Sequence, residues 1–358
     1  MNQHTRLPVT VLLLLLCLPL AAVCDDYSNR YDLPREAPAL DLGVQPLGYP
    51  AAMIGAVLRH DRILKRRLDE LGRPFATFPF RRGPDMLDLL ADGRLEAGLL
   101  GDMPTIMLSM RTDVLIGGLA KRSATAVVSR NPGVLASMQG RRFAYVPGSS
   151  AHYTLLQALA SVGLGEPSVT LVELAVDEMP VALEQARVDA FAAWEPAPSL
   201  ALAHNPNARI VFRGISSDYL VLTRRFVESK PEAARHLVAG FARSLEWMRQ
   251  SRKNVETAAR WAMADGAAFS GRAVDLTLAQ AVAITRRELL DVPAAPALPD
   301  WNRDQEPLIG EFDFLQRLGK LPAGSRRERV AAAFAYDGLR QVYANPARYQ
   351  PYSFDYER

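Results

Sequence analysis

Beyond Asp25 this chain has no cysteine. Its thiols, Cys17 and Cys24, sit close together near the start. The rest of the sequence therefore holds no disulfide framework, no thiolate metal site and no cysteine nucleophile. Excess charge of one sign is scarce too: 42 Lys and Arg stand against 39 Asp and Glu, a formal net of +3. That near balance argues against a broad polyanion-binding face, so nucleic acid is not an expected partner. The 5 histidines (His4, His60, His152, His204 and His236) fall in no metal-ligand spacing, and no metal is expected. The glycine-rich nucleotide loops are missing as well. Gly148-Ser149-Ser150 lacks their glycine spacing and lysine, so neither a nucleotide nor another cofactor is expected.

What is present begins with an export address. His4 and Arg6 make a short basic start, Val9 to Leu18 an apolar run, and Pro19 breaks it before small residues. The run is short for a bilayer span, and no later segment approaches that length. Residues 1–24 are read as a signal peptide. Leu20-Ala21-Ala22-Val23-Cys24 resembles a bacterial lipoprotein signal, which would lipidate Cys24, although Val23 departs from the small residue preferred there. Cleavage after Ala22 is the competing reading. Residues 25–38 are polar and Pro-containing, as a tether from a membrane surface would be. The expected location is periplasmic, or lipid-anchored at the outer face of the inner membrane, with that anchor as the one membrane contact.

At 49% apolar and 23% charged residues, the body reads as folded and globular. Short β-type runs alternate with helical patterns, the mark of α/β layers on a mostly parallel sheet. Strands are expected at Leu40 to Gln45, Phe75 to Phe80, Leu95 to Leu99, Asp113 to Leu119 and Thr125 to Ser129. A second set covers Arg142 to Val146, Val169 to Leu174, Val188 to Trp194, Ala208 to Phe212 and Asp218 to Leu222. Leu155, Leu156, Leu159 and Val162 share one helical face, stopped by Gly163. After Arg225 the pattern is mostly helical, and Ala234, Leu237, Val238, Phe241, Leu245 and Met248 trace a buried stripe. Pro293 to Pro307 reads as a loop, and the aromatic tail Tyr343 to Tyr356 as packing back on the body.

One feature recurs. A strand runs into a Gly/Ser/Pro turn that opens a helix, at Gly48-Tyr49-Pro50, Gly83-Pro84, Gly101-Asp102-Met103-Pro104 and Gly148-Ser149-Ser150. Such a turn aims free N–H groups and a positive helix end outward, past the carboxyl end of a strand. Several converging on one cleft would hold a small anion without a metal. Each turn taken alone is as readily a plain helix start. Ser149 with His152 would suggest a nucleophile and base, but they share one local turn and no third orienting group is evident. Hydrolysis is not expected, nor any other catalysis.

Gly101-Asp102-Met103-Pro104, Pro147 to Tyr153 (PGSSAHY) and Asp189 to Pro196 (DAFAAWEP) follow one another in order and at characteristic separations. With them the chain resembles the solute-binding proteins of nitrate/sulfonate/taurine ABC importers, a family that includes pyrimidine-precursor binders for thiamine synthesis. The resemblance implies an α/β, two-lobed periplasmic-binding-protein fold of type II, with two crossovers between lobes. Lobe one would comprise residues 39–129 plus 213–358, and lobe two residues 130–212. A small anionic organic solute, sulfonate- or taurine-like, would bind between them, and the partners would be an ABC permease and its ATPase. By motif position Leu47, Gly48, Tyr49, Gly83, Gly101, Asp102 and Met103 would line the cleft from lobe one. Ser149, Ser150, His152, Asp189, Trp194 and Glu195 would face them from lobe two. Glu195 would suit a ligand that also carries an amine, and Arg82 of the Arg81-Arg82 pair is the candidate to turn inward toward an anion. The alternatives are a ligand-sensing module for a membrane partner, or an enzyme of thiamine-pyrimidine or menaquinone-pathway type on the same fold.

Overall fold

The computed structural model describes residues 31, 33–34, 38–290 and 307–357. The signal peptide, Cys24, most of the tether and nearly all of the Pro293 to Pro307 loop lie outside them. Within the stretch read as a tether, Tyr31 and Leu33 belong to the body. Leu33 is buried in a core cluster, and the Tyr31 hydroxyl donates to the Pro79 carbonyl at 2.6 Å.

Eight strands form a single sheet in the order β2-β1-β3-β8-β4-β7-β5-β6. They are β1 (Leu40–Val44), β2 (Phe75–Pro79), β3 (Ala97–Gly101), β4 (Val114–Ser129), β5 (Arg142–Tyr145), β6 (Thr170–Glu173), β7 (Ala190–Ala193) and β8 (Arg209–Thr223). β1 pairs in parallel with β2 and β3, and β5 with β6 and β7. Every residue of β1, β3 and β7 is buried, as expected for strands covered on both faces by helices. The edge strand β2 is half-buried throughout.

The sequence suggested two pairs of short strands where the structure has two long ones. Asp113 to Leu119 and Thr125 to Ser129 are parts of β4; Ala208 to Phe212 and Asp218 to Leu222 are parts of β8. These strands run antiparallel to each other and join the two lobes. On the lobe-one side β8 pairs with β3, from Ala97↔Leu222 to Gly101↔Asp218. On the lobe-two side β4 pairs with β7, from Ala126↔Ala193 to Ser129↔Ala190. Between those limits the sheet narrows to the β4–β8 ribbon, where Lys121 faces Asp218 and Ser123 faces Ser216. The two expected lobes, residues 39–129 plus 213–358 and residues 130–212, are thus joined through these two strands. Register shifts at Ile116/Gly118 and Leu119/Lys121 bend the ribbon where it leaves lobe one.

Each lobe has apolar clusters on both faces of its half of the sheet. The predicted stripe from Ala234 to Met248 lies on the helix Pro231–Gln250, and all six of its residues are buried against β1, β8 and the helix Ala51–Arg59. The tail packs back as expected. Tyr349 is buried, the Tyr356 ring lies 4.4 Å from the Trp247 ring, and the Glu357 N–H donates to His60 O at 3.0 Å. Beneath the tail, Arg243 pairs with Asp61 at 2.7 Å and donates to the Tyr349 and Gln350 carbonyls.

Candidate functional site

The lobes are closed on one another. The Tyr49 N–H donates to Glu195 O at 3.1 Å, a Cβ on Gly48 would stand 3.1 Å from Trp194 Nε1, and one on Gly148 would meet Pro84 at 3.5 Å. Between them lies a cavity of about 450 Å³, counting its open mouth. That is the scale of a small-molecule site rather than a polymer groove.

Strand ends and helix starts build its walls. From lobe one come Gln45, Gly48, Tyr49 and Ala51 around the turn after β1, Gly83 after β2, and Gly101 with Pro104 after β3. From lobe two come Ser149 and Ser150 after β5 and Trp194 after β7. The helices Asp102–Ser109 and Ser150–Ser161 therefore both begin at the cavity, one from each lobe. The positive helix ends favour an anion there, although at the first helix the Met103 N–H is taken by Asp102 Oδ1 and Pro104 has none. Ser149 is the N-cap of the second helix: its Oγ accepts from His152 N at 3.3 Å and donates to Val146 O at 2.7 Å. Ser150 extends across the seam to hydrogen-bond Asp102.

The floor is the β4–β8 ribbon, which contributes Lys121, Ser216 and Asp218. Lys121 is only 4% exposed. Its ammonium lies 3.1 Å from Ser123 Oγ, 3.5 Å from Ser216 Oγ and 3.7 Å from Asp218 Oδ2. A buried ammonium left with hydroxyls and one carboxylate is poised to take an anion as a further partner. Asp102 lies just behind, its Oδ2 accepting from Ser217 N at 3.0 Å and its Oδ1 from its neighbour Met103 N at 2.7 Å. Burial pushes the pKa of both Asp102 and Asp218 upward, opposed at each by the charge of Lys121.

Of the candidate residues, the structure gathers Gly48, Tyr49, Gly83, Gly101, Ser149, Ser150 and Trp194 around this cavity. The other candidates lie elsewhere. Leu47 points into a neighbouring apolar cavity with Pro180, Leu200 and Val274. Asp102 and Met103 are packed beneath the lining, where the buried start of their helix holds them. Arg82 turns back on Asp85 in a bidentate pair at 2.6 to 3.2 Å. His152 lies behind the Ser149 turn, 2.9 Å from Glu166. Asp189 precedes β7, at the end opposite Trp194, and pairs with Arg142 at 3.2 Å. Strand alternation and length separate it from the cleft. Glu195 accepts from Ser199 Oγ at 2.9 Å and pairs with Arg287 at 2.7 Å, so it caps a helix and bridges the lobes.

Sequence reasoning missed Gln45, Ala51, Pro104, Lys121, Ser216 and Asp218. One signal was available: Lys121 and Arg122 end the apolar run Val114 to Ala120, and a cation that directly follows such a run is a candidate for burial with a partner. Among the described residues no group of His, Cys, Asp and Glu is arranged to hold a metal ion.

Comparison with known proteins agrees with this architecture. The NMT1-like family profile matches residues 35–263. An Escherichia coli K12 protein provisionally named aliphatic sulfonates-binding is 31% identical over 163 residues, 44% of this chain and 50% of the relative. A Bacillus subtilis 168 protein with the same provisional name is 29% identical over 182 residues, 48% of this chain and 54% of the relative. The chain thus spans about half the length of the curated relatives it matches. Among solved structures, the alkanesulfonate-binding protein of Xanthomonas axonopodis pv. citri, bound to MOPS, superimposes with a TM-score of 0.64. The alignment covers 84% of this chain and 99% of that one at 22% identity, a likeness of fold. By name, these similar proteins bind sulfonates.

Proposed function

The chain belongs to the NMT1-like family, and from that premise we propose that it is the extracytoplasmic receptor of an ABC importer, binding a small organic anion, a sulfonate, between its lobes. One observation carries the reading: the buried Lys121 ammonium, faced by helix starts from both lobes in a cavity that exists only when the lobes meet. A sulfonate head would sit on Lys121 Nζ, the Ser149 and Ser150 backbone and the start of the Asp102–Ser109 helix. Its organic part would lie along Trp194. Closure around the ligand would create the surface that a permease and its ATPase read. An amine on the ligand, first assigned to Glu195, fits Asp218 better, because Asp218 lines the cavity while Glu195 is engaged by Ser199 and Arg287.

Export is part of this proposal. The basic, apolar and small-residue order of the leader supports it, with lipidation at Cys24 as the anchored form. No helix of the described residues is long and apolar enough to cross a membrane.

The test is a melting-temperature panel on purified protein with ethanesulfonate, taurine, aryl sulfonates, nitrate, bicarbonate and pyrimidine precursors. A ligand binding only the folded state, at about 100 times its dissociation constant, adds roughly 2.7 kcal/mol, a shift of several degrees. A shift with sulfonates alone supports the assignment. A shift with only a pyrimidine or nitrate would move the substrate class, and none at all from cooperatively melting protein would overturn the sulfonate reading.

A further inference from the structure

We propose that Lys320, Glu166 and His152 form a closure relay that holds the Gly148–Ser150 turn in place when the two lobes meet. The proposal deepens the receptor reading, since that turn is the lobe-two wall of the proposed ligand site.

Lys320 belongs to lobe one. It follows the helix Pro307–Arg317, whose chain turns at Gly319 with φ +65°, and its own N–H donates to Leu315 O at 2.9 Å. Its ammonium reaches across the seam to Glu166 Oε2. Glu166 belongs to lobe two, and its other oxygen, Oε1, lies 2.9 Å from His152 Nε2. The opposite ring nitrogen, Nδ1, lies 3.2 Å from the Gly148 N–H. A backbone N–H can only donate, so Nδ1 is the acceptor and the ring proton of a neutral imidazole sits on Nε2, pointing at Glu166. The donors converge on Glu166 from both lobes: the Lys320 ammonium gives to one carboxylate oxygen, and the imidazole N–H, itself backed by the Gly148 amide, gives to the other. The relay ends on Gly148, whose φ of +70° sets the direction of Ser149 and Ser150.

The surroundings of His152 fit this form. It is 7% exposed, with the Tyr145 ring 4.8 Å away, and burial lowers its pKa, opposed by Glu166 and Glu173 and assisted by Lys320. Protonation would turn Nδ1 into a donor facing another donor and break the contact with Gly148. The lobe-one helix that carries Lys320 also grips the next residue: Phe314 meets the Tyr153 ring edge-on at 5.5 Å. Opening the lobes would remove both contacts together. Among the described residues, two further rim pairs have the same sense, Arg272 with Asp177 and Arg287 with Glu195, each at 2.7 Å with the cation on lobe one. Closure therefore gains from opposite charges and is weakened by salt.

Lys320→Ala, Lys320→Arg and Glu166→Gln, each checked for unchanged circular dichroism, test the relay. Hydrogen exchange at residues 147–151 and the small-angle scattering radius are read with no ligand present, at low and high salt; ethanesulfonate affinity is read separately. In Lys320→Ala and Glu166→Gln the turn is expected to exchange faster, the radius to rise, and its salt dependence to shrink. Affinity is expected to fall about threefold to tenfold, and Lys320→Arg to restore closure. Wild-type exchange and scattering in both charge-removing variants would overturn the relay, whatever ethanesulfonate does. Failure of ethanesulfonate to bind the wild type would count against the sulfonate reading and leave the ligand-free measurements to decide the relay.

Discussion

Lys121 on β4 stands opposite Asp218 on β8 in the narrow ribbon that joins the lobes, its Nζ 3.7 Å from the carboxylate Oδ2. The pair is the floor of the cavity and part of the connection between lobes. Behind it, Asp102 ties the lobe-one helix start to the backbone of Ser217. Charge, hinge and helix start thus meet within one strand crossing.

Removing either partner should separate the two halves of a ligand. Lys121→Met is expected to weaken ethanesulfonate by about a hundredfold, since a buried charge-assisted contact is worth roughly 2–3 kcal/mol. Asp218→Asn should leave ethanesulfonate within a few-fold and reduce taurine selectively. Titration calorimetry on both ligands reads this, and equal losses of the two ligands in Asp218→Asn would remove the amine assignment.

Gly101 is small because Ser150 lies against it. A Cβ there would collide with Ser150 Oγ across the seam and sit 3.4 Å from Asp218 Oδ1. Gly101→Ala should therefore hold the lobes apart: a larger scattering radius and lost ligand binding, with a melting temperature near wild type. An undiminished affinity would mean the lobes need not approach this closely.

A carboxylate pair in lobe one should give the stability a slope with pH. Burial raises Glu96 to about 7 and Asp41 to about 6. Glu96 Oε2 accepts from Asp41 N at 2.8 Å, and Arg73 lies 3.4 Å from Oε1. An acid raised on folding binds more protons folded than unfolded. Its penalty is therefore absent below the unfolded pKa and grows as pH rises through the folded one. Stability should fall by roughly 3–5 kcal/mol between about pH 4 and 7.5 from these groups. Glu96→Gln should flatten that slope in urea titrations, and an unaltered slope would place the titration elsewhere.

Arg243 and Asp61 are each 1% exposed in side chain and hold the C-terminal tail through Tyr349 O and Gln350 O. Arg243→Ala leaves a buried carboxylate unpaired and should cost about 3–5 kcal/mol. The tail beyond Tyr349 should become sensitive to protease before the rest of the chain unfolds. Coincident cleavage and unfolding would show that the tail is no separate unit.

Much of this protein was legible in its residues. The alternation of short apolar runs with 3.6-period stripes determined an α/β layered body, because a covered strand and an amphipathic helix each need their pattern to bury one surface. The turns at Gly48, Gly83, Gly101 and Ser149, which line the cavity, were legible for a related reason: a helix start after a parallel strand lies at one edge of the sheet.

Only the tertiary structure decided which charges enter the site. Lys121 and Asp218 lie 97 residues apart in number (218 − 121) and meet only because β4 and β8 pair across the lobes. The same packing turned His152 onto Glu166 and Glu195 onto Arg287, each taken by a partner that local pattern does not announce. Periodicity records which face of an element is buried, whereas the partner of a buried charge depends on which distant elements the fold brings within a few ångströms.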